Sequence, residues 1–164
     1  MPPAHVARAL FAGSFDPVTL GHVDIVRRCA AIFPEVVVGV AHNQAKRTWF
    51  DVAERVALMS EAVAGIDGVV VEPIEGLLVH AARKLGATVL VRGIRGAADL
   101  DLELRNGHAN RDLADIETVL IPTAPKWSFV SSSLVKEIAS HGGDTAPYLP
   151  PGAHAAVLAH LEGP

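Results

Sequence analysis

Short apolar runs alternate along this chain with longer stretches in which apolar residues recur at helical spacing. The runs predict five strands, at residues 7–12, 36–41, 69–72, 88–91 and 118–121. The longer stretches predict six helices, at residues 22–33, 52–64, 77–85, 97–112, 134–141 and 153–161. Strands that alternate with helices are typical of a parallel sheet with helical crossovers. Most strand runs are almost continuously apolar, which indicates that helices cover both faces of the sheet.

These elements predict an α/β fold, a single doubly wound Rossmann-like domain with a central parallel five-stranded sheet. The 164 residues fit one domain spanning 1–164, and neither an internal repeat nor a separating linker occurs. Asp51, followed three residues later by Glu54, forms a variant of the capping box and marks the start of the second helix.

Composition and charge limit the kinds of molecule that the chain is expected to bind. The chain carries 14 basic and 18 acidic residues, with a net charge of -4. Such a chain has no overall positive field to hold a nucleic acid or an anionic membrane, so phosphate would be bound by local groups. Cys29 is the single cysteine, and no run of residues is apolar enough for a leader or a membrane span. We therefore expect a cytoplasmic protein.

The first predicted strand runs into a polar segment, GSFDPVTLGH, at residues 13–22. In a doubly wound sheet, ligands bind at the carboxyl ends of the strands near the point where strand order reverses. Thr19 can cap the following helix, Gly21 leaves room for close approach, and the free N–H groups of the first turn favour an anion, which His22 would face. The alternative is that the glycines serve only the turn and that His22 is a surface histidine.

Two arginines, Arg92 and Arg95, follow the fourth predicted strand. Guanidinium groups match phosphate oxygens bidentately, so the pair indicates a phosphate clamp. The alternative is that both arginines pair with acidic residues of the next helix, namely Asp99, Asp101 or Glu103. Lys46, after the second strand, is open to the same two interpretations, a phosphate ligand or a solvated charge.

Three consecutive serines, Ser131, Ser132 and Ser133, stand at the start of the fifth predicted helix. Their hydroxyls and the unpaired backbone N–H groups of the first turn would together suit the outer phosphates of a nucleoside triphosphate. The aromatic residues just before them, Trp127 and Phe129, could belong either to this site or to the core.

Several other site classes lack their sequence signature. The seven histidines other than His22 form no pair at helical i, i+4 spacing and have no cysteine nearby, which disfavours a zinc site. It also lacks the Gly-x-Ser-x-Gly elbow of hydrolases, the Walker lysine loop and the three-glycine dinucleotide fingerprint.

Taken together, the segments at residues 13–22, 92–95 and 127–137, with Asn110 and Arg111 between them, resemble the phosphopantetheine adenylyltransferases. These enzymes belong to the nucleotidyltransferases with a T/H-x-G-H signature. The resemblance implies transfer of the adenylyl group of ATP to 4′-phosphopantetheine, which forms dephospho-coenzyme A and pyrophosphate in the penultimate step of coenzyme A synthesis. It further implies Mg²⁺ bound through the ATP phosphates with no metal ligand from the protein, a homohexamer and, in many members, feedback by coenzyme A.

The same resemblance implies roles for individual residues. His22 would stabilise the transition state. The residues implied to bind the acceptor substrate are Ser14, Lys46, Leu78 and Arg92. Those implied to bind ATP are Ser14, Phe15, His22, Gly93, Ile94, Arg95, Glu103, Trp127, Ser128, Phe129, Val130, Ser131, Ser132 and Ser133. The chain departs from the family pattern at Ala12, Gln44, Leu100, Leu102, Arg105 and Gly107. If this chain differs from the family in its properties, we expect the difference in nucleotide affinity or in assembly.

Two other functions remain open on the sequence. A different small-molecule nucleotidyltransferase would keep the chemistry and take another acceptor, such as nicotinate mononucleotide. A non-catalytic module that senses ATP or coenzyme A would bind nucleotide without turnover, and replacement of His22 would leave its function intact.

Overall fold

All five predicted strands and all six predicted helices are present in the computed structural model, which describes residues 7–42 and 47–163. The strands are β1 (Arg8–Gly13), β2 (Glu35–His42), β3 (Val69–Glu75), β4 (Val89–Ile94) and β5 (Glu117–Pro122). The helices are α1 (Leu20–Ile32), α2 (Val52–Val63), α3 (Leu78–Lys84), α4 (Ala97–Ala114), α5 (Ser132–Ser140) and α6 (Pro151–Glu162). The predicted bounds are wrong by a few residues at some ends, and two short 3-10 turns, Pro125–Trp127 and Ala146–Tyr148, were not predicted.

The strands form one parallel sheet in the order β3-β2-β1-β4-β5. β1 is the central strand, and its Leu10 lies opposite Val37 of β2 on one side and Leu90 of β4 on the other. The chain runs outward from β1 to β3 and then returns to place β4 on the opposite side of β1. Strand order therefore reverses between β1 and β4, and the predicted doubly wound Rossmann-like fold is confirmed.

Apolar side chains pack on both faces of the sheet. Phe11 and Val38 belong to the core cluster that includes residues of α1, α2, α5 and α6. Leu10 and Val37 face the other way and pack with Ala82 of α3. Successive side chains of a strand point to opposite faces, so a strand covered on both sides is apolar at every position.

Among the described residues, no helix is both long enough and apolar enough to traverse a bilayer.

The starts of the helices follow local capping chemistry. The predicted capping box of α2 is confirmed, since Glu54 N–H donates to Asp51 Oδ1 and Asp51 N–H donates to Glu54 Oε2, both at 2.8 Å. The start predicted for α6 is two residues late, because Pro151 occupies its first turn. Proline is tolerated there because the first N–H groups of a helix need no partner within it. The start predicted for α5 is late as well, because Ser131 caps the helix and Ser132 begins it.

Candidate active site

A cavity of about 580 Å³ opens at the carboxyl ends of β1 and β4, where strand order reverses. Its walls come from the loop after β1, the start of α1, the chain before α2, the end of β4, α4 and the start of α5. The site residues expected from the sequence that line it are Ser14, Phe15, His22, Arg92, Gly93, Arg95, Glu103, Val130, Ser131, Ser132 and Ser133. The fold thus brings the three polar segments of the sequence to one cavity.

Five of the expected site residues are not among those that line this cavity. Leu78 packs instead against the core cluster on the opposite face of the sheet. Trp127 packs against the main core, whereas Phe129 is 56% exposed with its ring edge on Tyr148. Ile94 and Ser128 are also absent from the cavity lining. Lys46 and Gln44 lie outside the described residues, so the expectation for Lys46 stays a prediction.

His22 is both a helix-capping residue and a wall of the cavity. The backbone N–H of Thr19 donates to Nδ1 of His22 at 3.0 Å, while His22 N–H donates to the Thr19 hydroxyl oxygen at 3.3 Å. A ring nitrogen that accepts a hydrogen bond carries no hydrogen, so the proton of a neutral His22 sits on Nε2. The cap therefore determines the tautomer of His22.

The surroundings of His22 keep its ring neutral. Burial lowers the pKa of His22 to about 4, and the positive charge of Arg95 adds to this lowering. The Phe15 ring meets the imidazole edge-on, with ring centroids 5.0 Å apart. At neutral pH His22 is thus a hydrogen-bond donor through Nε2 and has no free lone pair with which to act as a general base.

Arg92 forms a two-pronged salt bridge with Glu103 of α4. Its Nε and Nη2 donate to the two carboxylate oxygens at 2.8 and 2.7 Å, and Nη1 donates to the carbonyl of Ala12 at 2.7 Å. Glu103 is 6% exposed, whereas the Arg92 side chain is 30% exposed toward the cavity. The acid-pairing alternative from the sequence is therefore realised for Arg92, and both oxygens of Glu103 are engaged by it. A guanidinium has five N–H groups, which leaves Arg92 two for a ligand.

Arg95 pairs with Asp99 in the same manner on the outer side of the cavity. Its Nε and Nη2 donate to the carboxylate of Asp99 at 2.9 and 3.1 Å. The hydrogen bond from Arg95 is the main reason that the pKa of Asp99 lies below its usual range. Because Arg95 remains positively charged on the cavity wall, it also favours the neutral form of His22.

The three serines of α5 have different partners. The hydroxyl of Ser131 is the N-cap and accepts the N–H of Leu134 at 3.0 Å. Ser132 donates its hydroxyl to the carbonyl of Pro17 at 2.8 Å and so joins α5 to the loop after β1. Ser133 is exposed and lines the cavity. Only the last serine thus has its hydroxyl free of a hydrogen bond to another described residue.

The cavity contains polar side chains that the sequence analysis did not name as site residues. Asp16, 4% exposed, accepts the ammonium of Lys136 at 2.8 Å and the backbone N–H groups of Trp49 and Phe50 at 3.0 Å. Arg47 also lines the cavity. Asp16 lies in the same sequence segment as His22, and Lys136 lies in the same segment as the three serines. This proximity in sequence was the signal from which both could have been predicted as site residues.

Charge on the cavity wall is dense and mostly paired. The basic lining residues are Arg47, Arg92, Arg95 and Lys136, and the acidic ones are Asp16, Asp99 and Glu103. Each of the three carboxylates bonds a basic side chain. Within residues 7–42 and 47–163, no three His, Cys, Asp or Glu side chains converge as metal ligands. This cavity suits an anion better than a cation held by protein carboxylates.

Of the departures from the family pattern, Ala12 lines the cavity and accepts a hydrogen bond from Arg92, whereas the four on α4 lie outside it. Leu100 and Leu102 are 37% and 53% exposed on α4. Arg105 pairs with Asp101 on the same exposed helix. A Cβ on Gly107 would meet Thr118 at ordinary van der Waals distance, 3.5 Å. None of these four positions belongs to the cavity lining.

Comparison with known proteins identifies the family. A model of the cytidylyltransferase-like family matches residues 10–138. Phosphopantetheine adenylyltransferase from Cutibacterium acnes is 46% identical over 87% of this chain and 91% of its own length. The enzyme of that name from Deinococcus radiodurans is 46% identical over 91% of this chain and 90% of its own length. The one from Nocardioides sp. is 45% identical over 95% and 98%, respectively.

A solved structure shares the fold at much lower sequence identity. Plasmodium falciparum nicotinic acid mononucleotide adenylyltransferase, complexed with NaAD, aligns with a TM-score of 0.72 and 14% identity, covering 95% of this chain and 96% of that one. This likeness concerns the fold. The family follows from the near-complete coverage of the relatives at 45–46% identity together with the T-x-G-H segment, Arg92, Arg95 and the serines at one cavity. The chain belongs to the phosphopantetheine adenylyltransferase family.

Proposed function

We propose that this chain transfers the adenylyl group of ATP to 4′-phosphopantetheine and releases dephospho-coenzyme A and pyrophosphate. The observation that carries the proposal is the placement of His22, a neutral hydrogen-bond donor, in one cavity with Arg92, Arg95 and the serine-rich start of α5. The relatives named above bear the name of this activity.

The reaction asks the protein for alignment and charge stabilisation. A phosphate oxygen of the acceptor 4′-phosphopantetheine attacks the α-phosphorus of ATP, a new P–O bond forms, and the bond to the bridging oxygen breaks to release pyrophosphate. The nucleophile is already anionic near neutral pH, so no general base is needed. This agrees with a His22 whose only free ring nitrogen carries a hydrogen.

In this mechanism His22 donates from Nε2 to an oxygen of the α-phosphate as negative charge develops on it. A donor held in place before the reaction needs no reorganisation at the transition state, and removal of one such donor typically slows turnover about 10²- to 10³-fold. The bond from Thr19 keeps the donor in place.

The remaining groups would bind the phosphates at either side of the α-phosphorus. On the acceptor side we place Ser14, Arg92 and, from the sequence, Lys46. On the ATP side we place Arg95, Gly93 and the first turn of α5, whose backbone N–H groups and Ser133 hydroxyl suit the outer phosphates. Glu103 is assigned here to the orientation of Arg92, because both of its oxygens bond that guanidinium.

Mg²⁺ would enter with ATP. The carboxylates that line the cavity are engaged by basic side chains, so we propose that the ion is bound by phosphate oxygens and water. When bound, Mg²⁺ would neutralise part of the triphosphate charge.

We also propose that the chain acts as a homohexamer in the cytoplasm, subject to feedback by coenzyme A. Leu102 and Leu113 are 53% and 56% exposed on α4, which supports burial of this helix between copies of the chain. Sedimentation velocity tests the assembly, and inhibition by coenzyme A at varied ATP tests the feedback.

The test of function is pyrophosphate release by the purified chain with magnesium-ATP and one of three additions: 4′-phosphopantetheine, nicotinate mononucleotide or no acceptor. We expect release that requires 4′-phosphopantetheine and collapses in His22→Ala. His80→Ala, at an exposed position of α3, is the matched control and should retain full activity. Release with nicotinate mononucleotide would support a different acceptor, and ATP binding without release would support the sensing module.

A further inference from the structure

Arg55 of α2 is buried, and its hydrogen-bond partners among the described residues are all backbone carbonyls. It is 2% exposed, and its guanidinium donates to the carbonyls of Phe50 at 3.1 Å, Ser14 at 2.6 Å and Ala41 at 2.9 Å. Among the described residues, no acidic side chain lies within salt-bridge distance of it. A buried charge with only neutral partners is costly, so packing does not explain it.

The three carbonyls belong to three separate segments of the chain. Ser14 lies in the loop after β1, Ala41 near the carboxyl end of β2, and Phe50 immediately before α2. Arg55 therefore joins the loop after β1 to the chain on both sides of residues 42–49. The N–H of Phe50 is held as well, because it donates to Asp16 at 3.0 Å.

What Arg55 holds is one wall of the cavity. Ser14 lines the cavity itself, and so do Arg47 and Thr48, which precede Phe50 by two or three residues. A planar guanidinium can serve three carbonyls in divergent directions at once, which the single nitrogen of a lysine does less well. A side chain such as methionine would fill the volume beside Met59 and Val63 on the buried face of α2, but would make none of these bonds.

We propose that Arg55 is a positioning residue for the acceptor substrate. Through three backbone carbonyls it orients the wall formed by Ser14, Arg47 and Thr48, so that this wall binds the phosphate group of the acceptor, 4′-phosphopantetheine. Arg55 touches backbone and not substrate. The inference rests on the proposed function and deepens it, because it assigns this wall of the cavity to the acceptor and not to ATP.

The experiment measures Arg55→Lys and Arg55→Met against two control variants, Arg8→Lys and Arg8→Met. Arg8 also bonds a carbonyl, that of Leu85 at 2.9 Å, together with Glu35, but it lies at the amino end of β1, away from the cavity. Calorimetry gives separate Kd values for the acceptor and for ATP, and steady-state kinetics give both KM values and kcat. Circular dichroism establishes that each variant is folded at the temperature used.

For both Arg55 variants we expect the acceptor to bind more weakly, with its Kd and its KM raised on the order of tenfold to a hundredfold and the Kd for ATP unchanged. Both Arg8 variants should bind the two ligands as the unaltered chain does.

Three results would overturn the inference: Arg55→Lys and Arg55→Met that bind the acceptor normally, an equal loss of affinity for both ligands, or failure of both variants to fold. If Arg55→Met alone fails to fold, Arg55→Lys decides. If the unaltered chain forms no dephospho-coenzyme A, the proposed function fails and this inference fails with it. A normal KM for the acceptor in the Arg55 variants, with an active unaltered chain, would overturn the inference alone.

Discussion

The backbone N–H of Thr19 donates to Nδ1 of His22 at 3.0 Å. This one bond closes the capping box of α1 and also leaves Nε2 as the protonated ring nitrogen. The start of the helix and the state of the proposed catalytic histidine are therefore coupled. Variants of His22 can separate the two roles, because capping requires an acceptor and catalysis requires a donor.

Replacement of His22 by alanine should lower both stability and turnover. The lost cap should cost about 1 kcal/mol of the free energy of unfolding. Turnover should fall about 10²- to 10³-fold, with a much smaller change in ATP affinity, because the donor acts on charge that develops in the transition state. Urea unfolding, pyrophosphate release and calorimetry of ATP binding measure the three quantities.

His22→Glu is the matched control for the cap. Glutamate at this position completes a capping box, and its charge is favourable near a helix N-terminus, so stability should return to that of the unaltered chain. Turnover should stay at or below that of His22→Ala, since a carboxylate offers no donor to the α-phosphate. A His22→Glu variant with normal turnover would remove His22 from the mechanism.

His22 should make the protein less stable as the pH falls below neutrality. Its pKa is about 4 in the folded chain, lowered by burial and then by Arg95, against an ordinary value of 6.5. Between these values the unfolded chain binds a proton that the folded chain does not. The His22 contribution to stability is thus complete above pH 6.5 and declines by up to about 1.4 kcal/mol per pH unit as the pH falls toward 4.

Urea unfolding across this pH range measures the effect, with His22→Gln as the control that does not titrate. The slope that the unaltered chain shows beyond that of His22→Gln belongs to His22. Arg95→Met should raise the pKa of His22 toward its ordinary value, which NMR titration of the imidazole would detect. An imidazole that titrates near its ordinary value of 6.5 in the unaltered protein would contradict both expectations.

Glu103→Gln tests whether Glu103 acts through Arg92 or on ATP. The two-pronged bond to Arg92 needs two acceptor oxygens, and glutamine offers only one. Arg92 should then be held less well, and the KM for the acceptor should rise about tenfold to a hundredfold, which is the worth of one charge-assisted hydrogen bond, while the KM for ATP stays the same.

Asp101→Asn provides the comparison on the same helix. The Arg105–Asp101 pair has side chains that are 71% and 72% exposed, so its loss should change stability little and activity not at all. A rise confined to the KM for ATP in Glu103→Gln would return Glu103 to direct ATP binding.

The serines of α5 should differ when each is changed to alanine. Ser131→Ala removes the N-cap and should cost about 1 kcal/mol of stability. Ser133→Ala should leave stability unchanged and raise the KM for ATP, because Ser133 lines the cavity and its hydroxyl bonds no other described residue. Thermal unfolding and kinetics of both variants provide the check. The opposite pattern would mean that Ser131 contacts the nucleotide and that Ser133 supports the helix.

Local signals were enough to predict the elements and the three polar segments. Apolar runs and helical spacing located every strand and α-helix of the described residues, and Asp51 with Glu54 placed the start of α2, because capping and patterning act over a few residues. Because parallel strands end at the same edge of a sheet, the ligand-binding rule for such folds also predicts that Ser14, Arg92 and the serines of α5 share one rim. Errors were small and local, as at Pro151, where a residue expected to precede a helix begins it.

The sequence by itself determined which residue types stand at the carboxyl ends of the strands, and so the family and the chemistry open to it. Tertiary structure decided the partners of those residues: Glu103 for Arg92, three carbonyls for Arg55, and Asp16 for Lys136. Lys136 and Asp16 are 120 positions apart, and Arg92 lies 80 from the Ala12 carbonyl that it bonds. The periodicity of the sequence carries no information over such separations, because these contacts form only when the packed sheet brings distant strand ends together. A buried polar group is then stable only if it forms a hydrogen bond.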